Sequence, residues 1–201
     1  MKKILPVLSA VLLLNACASV KPDYEVRDRM KGGEPSWIED AEKAAQNKKE
    51  REEFRFYKAD AENVNKKLCQ QSAKANAVRK MAEEISQEIV SKFEEKNDSL
   101  DDNATAAVKD RLARNISTRL HGAREAGAYW ERRAYKAEMG AAKDIEKFKC
   151  DCVVKMKVTV LEEALNAYKQ QTLNSLKDAD QKKAMAKAFD EVAEDLRESE
   201  D

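Results

Sequence analysis

Between residues 147 and 159 large apolar and charged positions alternate: Phe148, Cys150, Cys152, Val154, Met156 and Val158 share one parity, and Lys149, Asp151, Lys155 and Lys157 share the other. Successive side chains of a strand point to opposite faces, so this spacing predicts a β-strand with one face in a core and the other wet. That is the pattern of an antiparallel sheet covered on one side. Two shorter stretches predict further strands, Phe54 to Tyr57 and Tyr129 to Met139, the second with Trp130 and Tyr135 as its large residues.

Elsewhere the period changes to that of a helix. From Asn63 to Lys96 there is no Gly or Pro, and Val64, Leu68, Ala75, Val78, Ala82, Ile85 and Ile89 recur at spacings of three, four or seven, which predicts a long amphipathic helix. Asn97-Asp98-Ser99 and Asp101-Asp102-Asn103 interrupt it. Val108, Leu112, Ile116 and Leu120 then predict a helical insert that stops at His121-Gly122. Leu161, Leu165, Tyr168 and Leu176 mark one more helix, and Met185, Phe189, Val192 and Leu196 mark a last one before an acidic tail. The elements expected are thus a few strands of an antiparallel sheet, a long amphipathic helix, a helical insert and C-terminal helices.

The first residues follow another plan. Lys2-Lys3, an apolar run from Ile4 to Leu14 and the sequence Leu14-Asn15-Ala16-Cys17 make a secretory signal that ends in a lipobox. The apolar run is shorter than the roughly 20 residues a membrane-spanning helix needs. It is therefore expected to be removed, with Cys17 carrying lipid as the first mature residue. Several acyl chains on one cysteine anchor far more firmly than a single myristoyl chain, at ~0.8 kcal/mol per buried methylene. Ala18, rather than Asp, stands after the cysteine, which by what is known of lipoprotein sorting implies the outer membrane; the domain is expected to face the periplasm, with the cell surface as the alternative. The organisation expected is a signal peptide over 1–16, a lipidated tether over 17–34, an α+β domain over 35–176, and an amphipathic helix with its tail over 177–201. Trp37 and Ile38 end the tether and are expected to plug one edge of the domain. The Lys-, Glu- and Ala-rich stretch from Glu39 to Glu53 is expected to be a solvated helix or a long arm.

Charge narrows the partners. The chain has 38 Lys and Arg and 38 Asp and Glu, and loss of Lys2 and Lys3 with the leader leaves a mature side-chain charge of −2. No net basic field remains to neutralise phosphates, so nucleic acid is not an expected partner. Charged residues make up 38% of the chain, which leaves room for only a modest core and argues against a deep substrate pocket.

The order of signals resembles the LPP-twenty lipoproteins. The residues that carry the likeness are the lipobox, the Pro35-Ser36-Trp37 end of the tether, the helix Ala73-Lys74-Ala75-Asn76-Ala77-Val78-Arg79-Lys80-Met81-Ala82, the strand Tyr129-Trp130-Glu131 and the strand Cys152-Val153-Val154-Lys155-Met156. The resemblance spans roughly residues 35 to 170. It implies an α+β fold, a few-stranded antiparallel sheet packed on a long amphipathic helix with the helical insert and C-terminal helices added, in small outer-membrane lipoproteins, some tied to flagellar basal structures, with a binding or structural role and no catalysis. A glycine commonly follows the first strand in that family, where this chain has Lys58-Ala59-Asp60, and the closing proline of the final strand is missing.

Candidate chemistry is sparse. Cys69, Cys150 and Cys152 are either small core residues or, in an oxidising envelope, a disulfide from Cys69 to one of the other two with one thiol left over. A bond between Cys150 and Cys152 would need their strand to distort. A zinc site would want four ligands, and His121 is the only histidine. His121, before a glycine, reads as a helix C-terminal residue favoured by the macrodipole. No metal and no cofactor is expected. Asp101-Asp102-Asn103-Ala104-Thr105 matches an acidic glycosylation pattern on an exposed loop, and Tyr129, Trp130 and Tyr135 suit sheet packing better than a sugar platform.

The narrow stripe Met185, Phe189, Val192 and Leu196 suits a single facing helix. It either folds back on Leu161, Leu165 and Tyr168 or binds a partner protein or a second copy. The function expected is structural or adaptor: a lipoprotein held to the membrane through Cys17 that docks a protein partner or self-associates. A peptidoglycan tether is the alternative, and a thiol-redox or metal-assisted enzyme the weaker one.

Overall fold

The computed structural model describes residues 23–95 and 122–198. The leader, the lipobox with Cys17, the predicted insert helix, Asn103 and His121 lie outside the described residues.

The strands are β1 (Glu25–Arg29), β2 (Phe54–Asn63), β3 (Arg124–Tyr135) and β4 (Ile145–Lys157), joined in one antiparallel sheet of order β1-β3-β4-β2. The helices are α1 (Lys48–Glu53), α2 (Lys66–Glu94), α3 (Val158–Ser175) and α4 (Ala179–Asp195). The fold is α+β, the class that the resemblance implies.

Strand β4 lies where alternation placed it, shifted by two residues. Its end is sharp because Val158, Leu161, Leu165 and Tyr168 are all buried at helical spacing, so the chain passes from Lys157 directly into α3. Strand β2 runs on past Tyr57 to Asn63, and β3 starts at Arg124 and stops at Tyr135, which corrects the strand expected as far as Met139: Ala137–Met139 is a 3-10 turn. Lys58-Ala59-Asp60-Ala61-Glu62 has little strand propensity of its own, yet it pairs residue for residue with Lys149 to Val153. Strand β1 corrects the tether expected over 17–34: Glu25 to Arg29 pair with Ala134 to Glu131, and the register shifts between Val26 and Asp28. Its charged side chains blunt an exposed edge.

Asn65 caps α2, its Oδ1 accepting from the backbone N–H of Leu68 at 3.1 Å. At 1.5 Å per residue the 29-residue helix runs ~43 Å, about the length of the 13-residue β4 at ~3.3 Å per residue. Its buried row is Cys69, Ala73, Ala77, Met81, Ile85, Ile89 and Phe93, a strict spacing of four. Four residues advance by roughly 400°, so the row drifts about 40° per step around the helix. The Cys and Ala end lies against β2 and β4, and the Met, Ile and Phe end reaches α4. This corrects the first half of the predicted stripe: Val64 and Leu68 are exposed, and Ala75 is too. Small residues allow the close approach to the sheet there, and the disulfide described below fixes it.

The C-terminal stripe is also corrected as a partner-binding surface. Met185, Phe189, Val192 and Leu196 are all buried among residues of this chain's own core. The Phe189 ring stands 6.0 Å from that of Tyr168, Lys92 pairs with Asp195 at 2.5 Å and Lys169 with Asp190 at 2.5 Å. The alternative in which the stripe folds back on Leu161, Leu165 and Tyr168 is the one observed.

The face of the sheet expected to be wet carries a second, smaller core of Trp37, Phe56, Tyr129 and Val153. Trp37 covers this face instead of plugging an edge. Gly127 makes room for it, since a Cβ there would stand 2.9 Å from Trp37 Nε1 and 3.1 Å from Val153 Cγ1. The stretch 39–53 is not an arm. Two 3-10 turns, Ser36–Ile38 and Ala41–Ala44, lead into α1, whose Glu50 pairs with Lys155 of β4, and Ile38 gives its carbonyl to Lys58 Nζ.

Candidate functional site

The three cysteines converge where the first turn of α2 crosses β4. Cys69 and Cys150 are joined by a disulfide with their Cα atoms 5.7 Å apart, and both are fully buried. The local reason is register: Cys150 pairs with Ala61 on one side and Trp130 on the other, so its side chain stands on the helix-facing side under Cys69. Of the alternatives open from sequence, the bond from the helix is the one found. Cys152 remains a buried thiol on the same face.

Burial pushes the Cys152 thiol up to about 11, with the carboxylate of Glu125 adding to the effect and Lys74 opposing it. A nucleophilic or redox-active cysteine needs the reverse, a thiol whose proton is easily lost. Beside Cys152 lies a cavity of about 160 Å³ lined by Gln70, Glu125, Ala128, Asp151 and Cys152. Glu125 is 3.9 Å from Lys74 there. This is a small polar pocket holding a reluctant thiol. Two of the three cysteines are spent in the disulfide, and among the described residues no group of three or more Cys, His, Asp or Glu is placed to hold a metal ion.

On the other face, charged residues form a ladder across β2, β3 and β4. Glu131 is buried and pairs with Arg133. Arg133 reaches Glu62 at 3.9 Å, and Lys149 bridges Asp60 at 2.7 Å and Asp151 at 3.1 Å. Sequence reasoning missed this ladder because its members come from three separate strands. Charges as buried as Glu131 and Asp151 persist only when paired. Tyr135 donates to Glu62 Oε1 at 2.6 Å, and its own hydroxyl is pushed up to about 12, first by burial and then by that carboxylate.

The aromatic residues do not line up as a sugar platform. Tyr129 is buried in the second core, with its hydroxyl unpartnered. Trp130 is half-buried on the opposite face, its ring covered by Lys66 Nζ at 3.3 Å and 5.9 Å from the ring of Phe148. Each ring packs where it stands.

The geometry defines an α+β domain with a buried Cys69–Cys150 disulfide, a buried Cys152 thiol and a C-terminal apolar stripe packed in its own core. Compared with protein-family models, with curated proteins and with solved structures, the chain has no match.

The disulfide spans 81 residues of sequence, and closing a loop of that length in the unfolded chain corresponds to about 4.5 kcal/mol of chain entropy. Replacing both partners, Cys69→Ala with Cys150→Ala, is therefore expected to lower stability by about 2–4 kcal/mol. Urea unfolding of the oxidised protein and the double variant measures it. Superimposable curves would mean that the bond contributes nothing.

Proposed function

We propose that this chain is a bacterial lipoprotein held on the outer membrane through lipid on Cys17, with a structural or adaptor role in the envelope. The observation that carries this reading is the sequence Leu14-Asn15-Ala16-Cys17 behind Lys2-Lys3 and a short apolar run. A second observation supports export: the Cys69–Cys150 disulfide suits an oxidising compartment and would be unusual in the cytosol. The resemblance to LPP-twenty lipoproteins points the same way, and it predicts docking of a protein or of further copies in place of catalysis.

The thiol-redox alternative finds no support in a buried disulfide beside a thiol that holds its proton. A peptidoglycan tether would need charged helical segments free to reach the wall, and the Lys- and Glu-rich stretch 39–53 lies folded on the sheet through Glu50 and Lys155. Any docking surface must then be sought away from the Met185, Phe189, Val192 and Leu196 stripe of α4.

Cys17→Ser tests the anchor. Serine offers no sulfur to the lipid, and the peptidase that removes such leaders acts on the modified cysteine. The variant is expected to accumulate as an uncut, unlipidated precursor, read by intact mass. A variant still cleaved after Ala16 and still membrane-bound would overturn the reading.

A further inference from the structure

Among the described residues three large apolar side chains are exposed: Met30, Val64 at 63% and Leu68 at 51%. Val64 and Leu68 stand four positions apart, in the turn after β2 and the first turn of α2. Neither is needed by the core, which takes Cys69 and Ala73 from that part of the helix.

The sheet register says which end of the domain this is. Glu25, the first residue of β1, pairs with Ala134; Ala134 pairs with Glu146; and Phe148, two residues further along β4, pairs with Asn63. The start of β1, the end of β2 and the start of α2 therefore share one end of the sheet. Three strand spacings separate β1 from β2, a lateral distance of ~14 Å. Cys17 precedes Glu25 by eight residues, which reach at most ~29 Å. A lipid on Cys17 thus keeps this end within a short tether's length of the bilayer, with Val64 and Leu68 to one side of the attachment point. Lys67, exposed between them, can extend its stem along the apolar pair and its ammonium to lipid phosphates.

We propose that Val64 and Leu68 rest in the headgroup region of the membrane that carries the lipid, so that the domain stands with the start of α2 against the bilayer and the rest of that helix leading away from it. The proposal deepens the lipoprotein reading and rests on it. The occupant is a lipid surface, because the tether brings a bilayer to this end whatever else is present.

The test uses the full lipidated chain in vesicles of phosphatidylethanolamine with a minority of phosphatidylglycerol, their acyl chains brominated near the glycerol. Leu68→Trp and, as an independent reporter, Val64→Trp are compared with Ala75→Trp. Ala75 is exposed on the same helix and lies seven residues, ~10 Å, further from the bilayer. Trp37 and Trp130 are common to all and set the baseline. Emission added at positions 64 and 68 should be quenched several-fold more than emission added at 75, with circular dichroism confirming that each variant is folded. Intact mass showing lipid on Cys17 together with equal quenching at all three positions would overturn this inference while leaving the anchor standing. That result would also be expected if a protein partner or a second copy covers the pair. Absence of lipid from Cys17 would overturn the anchor, and this inference with it.

Discussion

Val154→Asp is expected to abolish the cooperative thermal transition of the domain. Val154 is fully buried, lies between Tyr57 of β2 and Glu125 of β3 in register, and points into the helix-facing core. A carboxylate placed there without a partner costs several kcal/mol, against a total stability of about 5–15 kcal/mol for a domain of this kind. Its neighbour gives the control. Lys155 points to the other face, where it pairs with Glu50, and the hydrogen bond from Lys155 is the largest of the effects that hold the Glu50 carboxyl below its ordinary value. Alternation alone would make Lys155→Asp nearly free, but it sets two carboxylates against each other on a half-covered face, so a loss of about 1 kcal/mol is expected. Thermal melts followed by circular dichroism should rank wild type, Lys155→Asp and Val154→Asp in that order. Equal midpoints for the two variants would mean that the two faces of β4 are wrongly assigned.

Removal of residues 179–201 is expected to be nearly as severe. The segment contributes Met185, Phe189, Val192 and Leu196 to the core, and burying a side chain of this size is worth about 1.5–3 kcal/mol. Loss of all four approaches the stability of the whole domain, and it also strips cover from the Ile89 and Phe93 end of α2. The truncated chain should unfold at much lower urea when dilute and monomeric, and should bind a dye that reports exposed apolar surface. An unchanged monomer midpoint, with loss of an oligomer instead, would return the stripe to the role of a docking element.

Much of this was legible in the sequence where one element alternates between two environments. Strand β4 and the stripes of α3 and α4 announce themselves because each has a buried and a solvated side. The α+β class came from the resemblance. What was not legible depends on partners distant in sequence. Glu-Val-Arg-Asp-Arg has one apolar residue and reads as tether, since an edge strand is held by the backbone of its neighbour. The first half of α2 misled because Val64 and Leu68 outweigh Cys69, Ala73 and Ala77 in any hydrophobic pattern, although the small residues make the closer contact. The second core draws Trp37, Phe56, Tyr129 and Val153 from four segments with no common period. Its one available signal was Val153, which interrupts the alternation between Cys152 and Val154 and marks the place where both faces of β4 are covered. The cysteine pairing was open for a related reason: which side of α2 met the sheet decides whether Cys69 can reach Cys150.

The Cys69–Cys150 bond has a topological consequence. With the backbone between them it closes a covalent ring, and the stretch 96–121, with Lys96, Lys109, Arg111, Arg114 and Arg119, forms part of its circumference. A single cut by a protease in that arc opens the ring without dividing the molecule, because α2 and β4 remain linked through sulfur and packed through the same core. The nicked protein would run as one species until reduced and as two fragments afterwards. On the export proposed above, such a ring would hold the two parts of the domain together through a first cleavage.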